Sequence, residues 1–305
     1  MTTRVVGATA GIGWLKNGIN LGRNNPGAVF GGAALLMVAV IGVALAGSVL
    51  VGLVTAAVGN GATGVVVGTL VVMVLVLVLL GMLMVGYLRL VDAVENGRPA
   101  SATDVFSGFG DTATSFRTIG LLVLLAIIQN VLMVGLLAVV AGDFLAWYMQ
   151  MLQVSAGGVD PSAAMAGMPA GMGLAYVVMI LVGTLFFGVQ AIGLGQIALR
   201  GRGVLAALGD GFAGAIRNLL PLLMLMLAYI ALMIVVAIVV VVLVMLVGLL
   251  AKLVGAWLAV VIGVPLYLAF LLALVVVSFG VMYHLWRDVC GGSDAVAAPG
   301  DALTA

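Results

Sequence analysis

Six long runs of apolar residues without a charged side chain set the terms for what this chain can fold into. They occupy roughly 27–58, 64–88, 118–142, 171–199, 218–251 and 253–284. About 20 apolar residues, rising about 1.5 Å each, suffice for a helix to cross the hydrocarbon of a bilayer. Several runs are longer by about ten residues, so tilt or extension into the interface is expected. Hydrocarbon offers backbone N–H and C=O groups no partner, so such runs fold as helices even where valine dominates. A transmembrane barrel would alternate apolar and polar residues in segments of about ten. The run VVMVLVLVLL at 71–80 shows no alternation.

Composition points the same way. Of 305 residues, 65% are hydrophobic and 7% charged, where a soluble domain carries about 25% charged residues. Ten acidic and eleven basic side chains cannot cover a water-facing globule, so lipid is the solvent for most of this surface. A net charge of +1 gives no reason to expect a nucleic-acid partner. One cysteine, Cys290, excludes an intramolecular disulfide and a cysteine-rich metal site. The expected fold is an all-α polytopic bundle of about six spans. One integral membrane domain covers 1–289, and 290–305 form a flexible cytoplasmic tail.

Lysine and arginine mark the cytoplasmic side of membrane proteins. Arg4, Lys16 and Arg23 precede span one; Arg89, Arg98 and Arg117 surround the link from span two to span three. Arg200, Arg202 and Arg217 flank the link from span four to span five, and Arg287 follows span six. A six-span path puts all of these on one side and leaves Lys252 alone on the other, with Asp143 and Asp160 in its largest loop. Both termini are therefore expected in the cytoplasm. Ala44-Leu45-Ala46 mimics a signal-peptide cleavage site, but the leader before it is long for a signal peptide and the apolar run continues to Val58. An uncleaved first span is expected.

The three cytoplasmic lead-ins share a pattern. Gly13-Trp14-Leu15-Lys16-Asn17-Gly18 and Arg23-Asn24-Asn25-Pro26 precede span one, and Val105-Phe106-Ser107-Gly108-Phe109-Gly110 and Arg117 precede span three. Ala207-Leu208-Gly209-Asp210-Gly211-Phe212, then Arg217-Asn218 and Pro221, precede span five. Arg23, Arg117 and Arg217 lie 94 and 100 residues apart. The simplest account is three parallel repeats, each an interfacial helix followed by a transmembrane hairpin. Mixed apolar and polar residues suit a helix in the headgroup layer. Trp14, Arg23, Arg117, Arg217, Trp286 and Arg287 are the expected interfacial anchors.

These lead-ins also carry a resemblance. Gly13-Trp14-Leu15-Lys16-Asn17-Gly18 with Arg23, Asn24 and Pro26 resembles the opening of an uncharacterised proteobacterial family of hydrophobic membrane proteins. The likeness continues through Gly97-Arg98-Pro99, Phe106-Ser107-Gly108-Phe109 and Arg217-Asn218-Leu219-Leu220-Pro221 to Tyr283-His284-Leu285-Trp286-Arg287-Asp288. The loop around 142–172 and the valine-rich fifth span depart from the typical member. The resemblance implies an inner-membrane location and brings no activity, substrate or catalytic residue.

Motifs with a chemical appearance fail on context. Val5-Val6-Gly7-Ala8-Thr9-Ala10-Gly11-Ile12-Gly13 mimics a dinucleotide-binding glycine turn, but four preceding residues cannot supply the strand that such a turn follows. Gly209-Asp210-Gly211-Phe212-Ala213-Gly214 is a lone GxGxxG between two spans. Met165, Met168 and Met172 have helical spacing, and thioethers can hold Cu(I). Methionine is also ordinary apolar filler, the reading adopted for a chain with 17 of them. Acids are absent from the span centres, where they would mark ion paths. The polar groups inside spans are Gln129, Asn130, Gln190 and Gln196, read as hydrogen-bonding glue between helices or, alternatively, a substrate lining. His284, beside Trp286 and Arg287, reads as an interfacial anchor without an acid-base partner. Gly64-x-x-x-Gly68 and Gly167-x-x-x-Gly171 favour close helix contact.

No cofactor and no enzymatic activity are expected. The reading that best fits these features is a non-catalytic membrane component that organises or regulates lipids or other envelope proteins, with a membrane-protein partner or a second copy of itself. A small-molecule permease or channel is the alternative.

Overall fold

The computed structural model describes residues 3–58, 62–140, 142–144, 146–149, 151 and 171–291. Among them there is no strand, and six helices are long and apolar enough to span a membrane. In chain order the helices are α1 (Ala10–Ile19), α2 (Pro26–Val58), α3 (Ala62–Glu95), α4 (Ser107–Gly110), α5 (Thr112–Val140), α6 (Met172–Arg200), α7 (Val204–Arg217), α8 (Leu219–Val254) and α9 (Trp257–Cys290). A 3-10 turn over Ala102–Phe106 leads into α4. The protein is thus an all-α, multi-pass membrane protein whose spans are α2, α3, α5, α6, α8 and α9.

The helices start where caps allow. Asn25 accepts a hydrogen bond from Ala28 N at 3.1 Å, and Pro26 follows at the first helical position of α2, where its missing N–H costs nothing. Asp111 accepts from Thr114 N at 3.1 Å and opens α5. Pro221 sits in the first turn of α8, again where proline is tolerated. At the other end of α3, Gly97 adopts φ 66°, which lets Arg98 N reach back to Ala93 O at 2.8 Å and closes the helix.

Two spans run further than their apolar residues. The uncharged run of α3 ends at 88, yet the helix continues through Arg89 and Asp92 to Glu95. α9 likewise continues past 284 through Arg287 and Asp288 to Cys290. Apolar length measures the membrane, whereas the helix persists as long as its ends find polar partners.

Contacts divide the chain into two compact units, Met1–Leu121 with Gly188–Ala305, and Leu122–Phe187. In the first, burial gathers at the charged ends of the helices. Leu83, Val85, Tyr87, Leu88, Leu90 and Val91 of α3 are almost fully buried, as are Val281, Tyr283, Leu285 and Val289 of α9. Tyr87 meets Phe279 edge-on at 4.8 Å, and its hydroxyl donates to Val29 O at 3.0 Å, joining α2, α3 and α9. Further along α8 the picture reverses. Residues 238–246 are exposed without interruption, and at about 3.6 residues per turn that leaves every side of the helix uncovered. In the second unit, Met172 and Ala175 are buried with Leu137, Val140, Phe144 and Trp147 packed against them.

Lipid tails are as apolar as leucine, so close packing and polar contacts, not apolar burial, hold spans together. Both concentrate at the charged ends of the first unit. A Cβ on Gly11 of α1 would collide with Pro221 O of α8, and one on Gly280 of α9 would lie 2.7 Å from Gly18 Cα. A Cβ on Gly86 of α3 would strike Val105 O, and one on Gly211 of α7 would lie 2.8 Å from Val189 O of α6. Each lead-in helix therefore rests on a span backbone, not on lipid alone.

Candidate functional site

The polar ends of α3, α6, α7 and α9, with the N-terminal segment, converge on a network of charged and hydrogen-bonding side chains. Its centre lies where α3 meets α9. Tyr283 OH donates to Asp92 Oδ1 at 3.0 Å. Asn96 Nδ2 donates to the same oxygen at 3.0 Å and to the tyrosine oxygen at 3.3 Å. Arg98 pairs with the other oxygen of Asp92. One helical turn on, Glu95 Oε2 lies 3.5 Å from His284 Nε2 and 3.6 Å from Arg287 Nη1. The Arg287 guanidinium also covers the Tyr283 ring at 5.6 Å. His284 is 2% exposed, and neither ring nitrogen has a hydrogen-bond partner among the described residues.

Four further clusters join other elements at the same polar ends. Trp14 Nε1 donates to Asp288 Oδ2 at 2.9 Å, fastening α1 to the end of α9, and Arg4 binds the Asp288 carbonyl. Asn218 accepts from Val6 N at 2.8 Å and donates to Arg4 O at 3.0 Å, so the N-terminal segment is pinned at the start of α8. Asp210 of α7 takes Arg202 Nη2 at 2.9 Å and Gln196 Nε2 at 3.1 Å. Arg89 of α3 donates to Asp111 at 2.6 Å and to Ala198 O at 3.1 Å. That guanidinium, followed by the bonds from Thr114, holds the Asp111 carboxyl down to about 2, because each favours the charged form.

The residues expected as interfacial anchors separate into two groups. Trp14 is fully buried and Trp286 is 6% exposed, with Arg200 lying 5.6 Å over the Trp286 ring. Both indoles face protein: that of Trp14 on α1 is bound to the end of α9, and that of Trp286 on α9 lies against Gly195 of α6. Arg23, Arg117 and Arg217 are exposed. Of these, Arg117 donates to Gly201 O at 2.9 Å and Arg217 to Thr3 Oγ1 at 3.1 Å. His284 also departs from the expectation of an anchor without an acid beside it, since Glu95, distant in sequence, is its neighbour.

The span amides differ in their surroundings. Gln196 is buried and serves Asp210, Asn130 is exposed and donates to Ala126 O of its own helix at 2.8 Å, and Gln129 and Gln190 are half-buried. Of the methionines with metal-ligand spacing, Met165 and Met168 lie outside the described residues, and Met172 is packed in an apolar cluster. Among the described residues, no group of three or more histidine, cysteine, aspartate or glutamate side chains could hold a metal ion.

Sequence reasoning missed Asp92, Glu95, Asp111 and Asp210, because an acid near an arginine at a helix end reads as a solvated charge. A signal was present. Asp92 and Glu95 each lie three residues from an arginine and Asp288 follows one directly, a placement that arginines kept only for headgroups would not need. No protein-family model, no curated protein and no solved structure matches the chain.

Proposed function

We propose that this protein is a non-catalytic organising component of a bacterial inner membrane, with both termini in the cytoplasm. One observation carries the reading: the spans are locked together at their charged ends while much of their length presents uncovered apolar surface. Residues 238–246 of α8, exposed on every side, need lipid or another membrane protein around them. A polar base that joins the charged ends of such helices suits a scaffold that gathers lipids, partner proteins or further copies of itself. The resemblance of the lead-in motifs to proteobacterial membrane proteins, and the arginines gathered at one end, support the location and orientation. Affinity purification from native membranes into nanodiscs, with mass spectrometry of what is retained, tests the reading. A stoichiometric protein or one selected lipid class is expected; a solitary protein in bulk lipid would contradict it.

A permease is the second reading, favoured by the half-buried Gln129 and Gln190. It requires that Gln190→Leu change solute flux in liposomes. Equal background flux from both proteins across a broad solute panel removes it.

A further inference from the structure

The second unit contains an aromatic depression that neither reading uses. After α5 the chain turns, and Trp147 N donates to Asp143 O at 2.9 Å to begin a helical turn. That turn presents Phe144, Trp147 and Tyr148, with ring centroids 5.9 Å apart for Phe144 and Trp147 and 6.0 Å for Phe144 and Tyr148. Opposite stand Met172, Tyr176 and Met179 of α6, spaced to share one helix face. Together they line a depression of about 360 Å³, within the range of small-molecule sites. Its back is fixed, since Met172 is 4% exposed and packed against Phe144 and Trp147. Its mouth is open, since Tyr148 and Tyr176 are about half exposed.

Charge selects the occupant. From Leu122 to Phe187 the sequence has no lysine, arginine or histidine, and its charged residues are Asp143 and Asp160. An anion would find no counter-charge here. A cation would find aromatic faces, which attract positive charge electrostatically, and polarisable thioethers; Asp143 does not line the depression but is exposed one residue before Phe144 in the chain. The remaining lining is apolar, so the cation must be lipophilic.

We propose that this depression binds a lipophilic organic cation. The plain alternative is a belt of aromatic side chains that only anchors the segment at the membrane interface. The two differ in their response to charge. With the full chain in zwitterionic nanodiscs, methyltriphenylphosphonium should quench tryptophan fluorescence saturably, and Trp147→Phe should remove that component. Triphenylphosphine oxide, neutral and of similar shape, should bind far more weakly. Tyr176→Leu should weaken the phosphonium roughly five- to thirty-fold, the scale of one desolvated cation–π contact, and Asp143→Asn should weaken it less. Thermal unfolding like that of the parent protein would show both variants folded. Equal binding of the neutral analogue, unchanged binding by folded Tyr176→Leu, or no saturable quenching would each overturn the proposal.

Discussion

Asp111 shows how a single side chain does three jobs at a span's polar end. It caps α5, takes the Arg89 guanidinium at 2.6 Å, and through that arginine is joined to Ala198 O. Its carboxyl is held at about 2, against an ordinary 3.8. A carboxyl lowered on folding contributes stability above its unfolded value and loses it as the pH falls through the folded one. Thermal unfolding in nanodiscs should therefore show a loss between about pH 4 and 2 that Asp111→Asn lacks. The side chain is 36% exposed, so solvent screening keeps the difference small. Identical acid profiles for the two proteins would show that the pair adds nothing. Trp14 teaches a different lesson at this scale. A tryptophan beside a lysine at a membrane edge reads as an interfacial anchor, but its indole is buried against α9 and bound to Asp288. A partner 274 residues away leaves no local trace.

At the scale of elements, the spans were legible because the bilayer imposes a length and forbids charge. The expected run 27–58 is α2 almost to the residue. What was not legible was how far α3 and α9 continue, since their last turns depend on each other's side chains. The lead-in helices were foreseen as segments, but the surface each rests on was not. Glycine decides that contact. Gly11 faces Pro221 O with no room for a methyl group, whereas Gly13, two residues on in α1, has nothing within 4 Å. Gly11→Ala should cost about 1–3 kcal/mol through overpacking. Gly13→Ala should be neutral or slightly stabilising, because alanine favours the helix. Paired thermal melts in detergent read the difference, and similar melting temperatures would mean that α1 does not rest on α8 as described.

Across the whole molecule, a polar base made of residues from both ends of the chain joins the charged ends of the spans. Asp92 with Tyr283, Trp14 with Asp288 and Asn218 with Val6 each join residues more than 180 positions apart. That base was legible only in part: Asp92 pairs with Arg98 and Asp210 with Arg202 at short range, but the contacts of Glu95 with Arg287, Tyr283 with Asp92 and Trp14 with Asp288 join elements far apart in sequence. Orientation is the claim on which the scaffold reading most depends, and cysteine accessibility in right-side-out spheroplasts tests it most directly. With Cys290 replaced by alanine, Ser101→Cys in the link between α3 and α5 and Ala256→Cys in the turn between α8 and α9 report opposite sides. A membrane-impermeant maleimide should label Ala256→Cys in intact spheroplasts and Ser101→Cys only after permeabilisation. Labelling of Ser101→Cys without permeabilisation would place the polar base outside and contradict the account.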